Sequence, residues 1–304
     1  MTAVRHVQAR RLPGSPIVVP EMDARMGRNI TGPSLVRVPE WCARPLARYY
    51  LYFASHWGSY IRLALADGLQ GPWRTYEPGV FDLAQSRFVD HIASPDVIID
   101  HERREFRMYY HGAIDSLQNQ RTRVAVSQDG LTFTEQPDVI LDWYARIFRW
   151  DGWWYALTMP GTVWRSRDGL TGFERGPVLF GPQMRHSAVR VVGTDLQVFY
   201  TNVGDCPETI LLAVIDLTGD WRTWTATRPE PVLAPERDYE GGALPARPSS
   251  RGPVTEPVCE LRDPAIYEEG ARTFMLYAVA GESGIALAEI EERMDRRDTG
   301  YEDK

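Results

Sequence analysis

Residues able to move protons stand at the start of similar segments several times in this 304-residue chain. Asp263 lies in "CELRDPAIYEE", preceded by Glu260 and Arg262. His186 follows Arg185 in "QMRHSAVRVV". Asp90 and His91 precede "ASPDVIID", which carries Asp96. A carboxylate and an imidazole held at one place can do acid–base work: one group protonates a leaving oxygen while another activates water. Guanidinium groups beside them bind substrate oxygens. Scattered over the surface, the same residues are only turn formers, caps and solvated charges. The fold decides between these outcomes.

The elements that must position them repeat. Strand-like pairs recur: "PSLVRV" with "YYLYFAS", "PDVIID" with "FRMYYHG", "ARIFRW" with "WWYALTM", "SAVRVV" with "LQVFYTN", and "PAIYEE" with "FMLYAVA". All are rich in the β-branched and aromatic residues that strands favour. A third run follows each pair: "YIRLALAD", "TRVAVSQ", "TVWRSR", "ILLAVID" and "GIALAEI". Four of these lead into nearly the same turn, "ADGLQGPW", "SQDGLTF", "SRDGLTGF" and "DLTGDW". Asp-Gly or Gly-Asp supplies the left-handed turn positions. A short fourth strand is expected to end near Trp73, Phe133, Phe173 or Trp221, with the aromatic plugging the gap between units.

Five such units with little helical periodicity predict an all-β fold, a five-bladed β-propeller of four-stranded antiparallel blades. The fifth unit lacks its outer turn and strand. A segment within Val4 to Val19 is expected to supply that strand and close the ring, removing two exposed sheet edges. Residues 1–290 form one propeller domain in this reading, and 291–304 a charged, frayed tail.

In a propeller, first strands line the channel and start at one face, to which the second-to-third connections return. Aligning the first strands gives a ring of Gly32, Ser94, Tyr144, His186 and Asp263. Two residues on, alternation predicts the same side-chain direction for Ser34, Asp96, Arg146, Ala188 and Ala265. Lead-in segments add Asn29, Asp90, His91, Arg185, Glu260 and Arg262. The returning connections add His56, His111, Asp205 and Glu282. Four of the six histidines, His56, His91, His111 and His186, thus fall at one face, with His101 at the other and His6 near the terminus.

Bulk properties narrow the function classes. Hydrophobic residues make up 43% and charged residues 25%, ordinary for a folded globular chain. The net charge of -7 argues against a nucleic-acid partner. Lys304 is the only lysine among 34 basic residues. Cys42, Cys206 and Cys259 show neither metal-ligand spacing nor a disulfide framework. No apolar run approaches the ~20 residues of a membrane span, and the N-terminus lacks a secretory apolar core. The expectation is a cytoplasmic protein with no membrane partner and no required cofactor, although a divalent metal in the channel is compatible with the ring. Oligomeric state is not legible.

The openings "GPSLVRV…RYYLYFAS", "ASPDVIID…FRMYYHG" and "LRDPAIYEE…FMLYAVAG" resemble those of the five-bladed propeller glycosidases around glycoside hydrolase family 43. The likeness spans nearly the whole chain. It implies a carboxylate base at the start of the first blade, a proton donor elsewhere around the channel, and a third carboxylate that tunes the donor. Here the first-blade position is Gly32, so the usual base is missing. The expected assignment is Asp263 as base or charge stabiliser and His186 or Glu260 as proton donor. Asp96 is the tuning partner and Arg146 a binder of substrate oxygens. His91 and Asp90 complete a pocket also lined by Asn29, His111, His56, Arg185, Arg262, Tyr144, Glu282 and Asp205.

The leading function is hydrolysis of a small glycoside or oligosaccharide terminus, a pentofuranoside being one option. Three alternatives stand beside it. One is a phosphorylase of the family 130 type, using Arg28, Arg146, Arg185 and Arg262. Another is different sugar or natural-product chemistry, such as elimination or cyclisation, on the same scaffold. The last is a non-catalytic sugar-binding or protein-interaction propeller.

Overall fold

A computed structural model describes residues 5–294. Its strands form five antiparallel sheets, each a blade, with the first strand innermost. The inner strands are Thr31–Arg37, Ile92–Asp100, Arg146–Trp150, Met184–Val192 and Arg262–Glu269. In the fifth blade the sheet order runs from the inner strand to Arg272–Ala278, Ile285–Met294 and finally Arg5–Arg11. The N-terminal strand therefore closes the ring, pairing from Arg5 opposite Met294 to Arg11 opposite Ala288. Arg11 fastens the closure: its guanidinium donates to Glu240, Glu236 and the Ala234 carbonyl at 2.7–2.8 Å. The last strand runs past residue 290 to Met294, and residues 295–304 of the expected tail lie outside the described residues.

The hydrophobic core lies between the blades. Buried side chains fall into five clusters, and each joins two neighbouring blades. Tyr50, Leu63, Ile92 and Phe106 join the first and second; Tyr144, Leu157, Val198 and Trp221 join the third and fourth. Burying each such side chain stabilises by roughly 1.5–3 kcal/mol, so the ring is held by sheet-on-sheet packing.

The repeated turns explain themselves here. Ser127 and Ser166 each accept, at Oγ, the backbone N–H groups of the following Asp-Gly pair. Asp129 and Asp168 each accept two further N–H groups at 2.8 Å. The glycines sit at φ 71° and 73°, and their carbonyls accept the hydroxyls of Tyr52 and Tyr109, from the preceding blade, at 2.8 Å. The aromatics then pack against that preceding blade: Trp73, Phe133, Phe173 and Trp221 join four different inter-blade clusters.

Two details differ from expectation. The fourth strands follow the aromatics instead of ending at them, at Arg74–Thr75, Thr134–Glu135, Glu174–Val178 and Glu230–Leu233. The aromatic is drawn inward to fill the gap, so regular pairing resumes only after it. In addition, Phe81–Asp82 and Leu141–Asp142 add a second short pairing on the third strands of the first two blades. Among the described residues, no helix is long and apolar enough to cross a membrane.

Candidate active site

The five aligned inner-strand positions share one backbone conformation. Gly32, Ser94, Tyr144, His186 and Asp263 have φ of 61°, 48°, 60°, 53° and 46°. Left-handed backbone costs a non-glycine residue about 1–2 kcal/mol and persists where the surroundings enforce it. In four blades the ladder register shifts at this point. The bulge turns the ring side chains toward the mouth of the channel.

The left-handed backbone also breaks the alternation expected for the second ring. Ser34 Oγ accepts the Val97 amide at 2.8 Å, and Asp96 Oδ2 accepts the Ile147 amide at 2.8 Å. Arg146 donates to the Ser187 carbonyl at 3.0 Å, with its guanidinium 4.2 Å from the centre of the Tyr144 ring. Ser34, Asp96 and Arg146 each tie one inner strand to the next.

A cavity of about 400 Å³ opens above the first ring. Its lining includes Thr31, His56, His91, Ser94, His111, Tyr144, Arg185, His186 and Asp263, with Trp57, Leu117, Trp143 and Met159 as apolar wall. Asp263 is the carboxylate among the lining residues. It is 2% exposed, and Oδ1 accepts the Tyr144 hydroxyl at 2.7 Å while Oδ2 accepts that of Thr31. His186 Nδ1 lies 3.6 Å from Asp263 Oδ2, beyond hydrogen-bond reach, and has no hydrogen-bond partner among the described residues. Burial, helped by the charges of Arg185 and Arg262, pushes the His186 pKa well down. The lowered pKa favours the neutral imidazole at rest, a form that accepts a proton more readily than it donates one.

Aromatic rings form a stair across three blades. His91 meets His111 edge-on at 6.0 Å; Tyr144 lies 5.9 Å from His111 and 5.3 Å from His186. Burial lowers the pKa of His91, against its 3.2 Å contact with Asp90, and drives that of His111 well down. Burial likewise raises the Tyr144 pKa well above its usual value, keeping the hydroxyl that binds Asp263 protonated.

Behind this surface lies an ionic frame. Arg185 donates to Glu208 through Nε at 2.8 Å. Arg262, fully buried, donates to Glu260 at 2.8 Å and to Glu282 at 2.9 Å. Burial lifts the Glu260 pKa despite Arg262. For Glu282 burial acts the same way, but His56 and Arg262 outweigh it and hold the carboxyl below its ordinary value. Asn29 bonds Glu282 and accepts the His56 amide.

Of the residues picked out from the sequence, His56, His91, His111, Tyr144, Arg185, His186 and Asp263 line the cavity. Glu260, Arg262, Glu282 and Asn29 stand behind its wall. Asp96 and Arg146 lie beneath the ring, and Asp90 and Asp205 fall outside the lining. Sequence reasoning missed Thr31, Trp143, Arg251 and Glu208. Thr31 and Trp143 directly precede the ring residues Gly32 and Tyr144 and so carried a positional signal. Among the described residues, no group of three or more His, Cys, Asp or Glu is arranged to hold a metal ion.

The first-blade position is closed. A Cβ on Gly32 would lie 2.7 Å from the Cα of Ser94. No family model matches the chain. It is 34% identical over 298 residues to "uncharacterized protein R118" of Acanthamoeba polyphaga mimivirus, covering 86% of this chain and 83% of that one. The chain belongs to the family of that mimivirus protein.

Solved structures similar to this member of the family are five-bladed propeller glycoside hydrolases. A putative glycoside hydrolase from Parabacteroides distasonis superposes with a TM-score of 0.67 at 11% identity, over 95% of this chain and 97% of that one. A family 43 β-xylosidase/α-arabinofuranosidase from a compost metagenome gives 0.61 at 12%, over 93% and 94%. A thermostable family 43 glycoside hydrolase gives 0.58 at 16%, over 87% and 89%. At these identities the likeness is one of fold: the chain shares the scaffold of the family 43 enzymes.

Proposed function

We propose that the protein cleaves a glycosidic bond in a small carbohydrate, with Asp263 and His186 handling the proton of the attacking water. The observation that carries this is the pair itself. A buried carboxylate, fixed by Tyr144 and Thr31, lies 3.6 Å from a neutral imidazole with an unpaired nitrogen, on the wall of a sugar-sized cavity. Water at the cavity floor gives its proton to His186 as its oxygen bonds to the anomeric carbon. The resulting imidazolium meets the Asp263 anion at close range, where reduced solvent screening strengthens the attraction. The scaffold shared with glycoside hydrolases supports the substrate class.

Elimination is the second reading. It is favoured by a single carboxylate facing the cavity and by the closed first-blade position, since one base that returns its proton to the leaving oxygen needs no opposing acid. Phosphorolysis has less support, because Arg185 and Arg262 are already paired with Glu208, Glu260 and Glu282.

The test is a glycoside screen with and without phosphate, on wild type, Asp263→Asn and His186→Gln. Hydrolysis yields a reducing sugar that gains water; elimination yields an unsaturated, ultraviolet-absorbing product. Each variant is expected to lose about 10²–10⁴-fold in rate. Full turnover by folded Asp263→Asn removes the pair from the mechanism.

A further inference from the structure

The cavity wall holds a second carboxylate–imidazole pair. His56 Nδ1 donates to Glu282 Oε1 at 3.0 Å, and the other ring nitrogen is left without a protein partner among the described hydrogen bonds. The ring lines the cavity, with a side chain 25% exposed, whereas Glu282 is 1% exposed. The two pairs differ in kind. Asp263 accepts two hydroxyl donors and lies beyond hydrogen-bond distance of His186. Glu282 bonds its imidazole directly, and the contact is held from three sides by Arg262, Asn29 and the His56 amide bound to Asn29. Such a clamp fixes the tautomer with the proton on Nδ1, and the buried anion offers a counter-charge for a second proton on the cavity side. A proton on His56 would add to the burial that lowers the pKa values of His91, His111 and His186.

We propose that His56 is the proton donor to the leaving group, positioned by Glu282, in the same cavity lining as the Asp263–His186 pair. This rests on the glycoside-cleaving reading and completes it. The bond between the anomeric carbon and the leaving oxygen breaks, and its electron pair takes the cavity-side proton of His56. Water forms the new bond to the anomeric carbon and gives its proton to His186. After product release His186 loses that proton to solvent and His56 regains one, so the enzyme returns unchanged. Glu282 is a positioning residue throughout: it touches His56 and not the substrate.

The experiment compares His56→Gln with wild type on two substrate sets, aryl glycosides with strongly acidic leaving groups and alkyl glycosides with poor ones. The expected result is a loss of about 10²–10⁴-fold on alkyl glycosides and under about tenfold on the activated aryl ones. His186→Gln, in contrast, slows both sets. Equal losses on both sets in folded His56→Gln overturn the donor role. Glu282→Gln is expected to move the alkaline limb of the rate profile to lower pH while wild-type His56 geometry is partly kept. A second readout does not need turnover. Histidine NMR titrations, assigned with His56→Gln, should show the His56 signal moving to lower pH in Glu282→Gln, and an unmoved signal also overturns the proposal. If wild type cleaves no glycoside yet the NMR shift appears, the cleavage reading fails while the His56–Glu282 coupling stands.

Discussion

Substituting Gly32 tests whether the first-blade position is shut by the backbone. An alanine there keeps φ near 61°, which costs about 1–2 kcal/mol for a residue with a Cβ. The added carbon also lies 2.7 Å from Ser94 Cα, well inside the roughly 3.5–4.0 Å separation at which carbons attract. Overpacking of this kind costs a further ~1–3 kcal/mol. Gly32→Ala should therefore lose about 2–5 kcal/mol in urea unfolding, a large share of the roughly 5–15 kcal/mol typical of a folded protein. Ser94→Gly in the same chain removes the contacts at 3.1 and 3.2 Å from the Ser94 side chain but not the backbone contact, so it should restore less than half. Gly32→Asp should be destabilised likewise and gain no activity. A Gly32→Ala protein within about 0.5 kcal/mol of wild type, or a folded Gly32→Asp with raised turnover, would show that the position is open and the closure reasoning wrong.

Acid should weaken the fold through its buried imidazoles. His91, His111 and His186 all have pKa values below the ordinary 6.5, so below that pH the unfolded chain takes up protons that the folded one refuses. Stability is full above about pH 6.5 and falls as pH drops, by up to about 1.4 kcal/mol per unit for each histidine. Urea midpoints should fall on going from about pH 7.5 to 5.5, less steeply in His111→Gln; a flat profile contradicts this. Arg262→Met strands Glu260 and Glu282 without their buried partner and should lose about 3–5 kcal/mol. Wild-type stability in that variant at neutral pH would mean that the carboxylates find other partners or carry protons.

The repeat made the ring legible. Four turns and five strand pairs were enough to align Gly32, Ser94, Tyr144, His186 and Asp263, which share one conformation in the fold. Alternation then misled. A left-handed residue, accompanied by a register shift in the second blade, resets the side-chain direction, so Asp96 and Arg146 tie strands together instead of facing the cavity. Glu208 was missed for a different reason: it shares a returning connection with Asp205, and only three-dimensional packing sets it against Arg185. His56 was placed by the return of the second strand, but its pairing with Glu282 joins connections 226 residues apart. Local pattern carries no record of that distance.

The shared left-handed backbone limits which chemistries this mouth can acquire by mutation. Glycine, asparagine, aspartate, serine and histidine adopt that geometry at tolerable strain, whereas valine, isoleucine and threonine do so at high cost. The four blades after the first therefore offer sockets that accept small polar, imidazole or phenol groups and refuse branched ones. Shorter acids are admitted more readily than bulky apolar groups, and these four sockets already hold residues able to donate or accept a hydrogen bond. New specificity on this scaffold would then arise by exchange within a narrow alphabet at those sockets, or from the connections above them, where the backbone is free of the constraint.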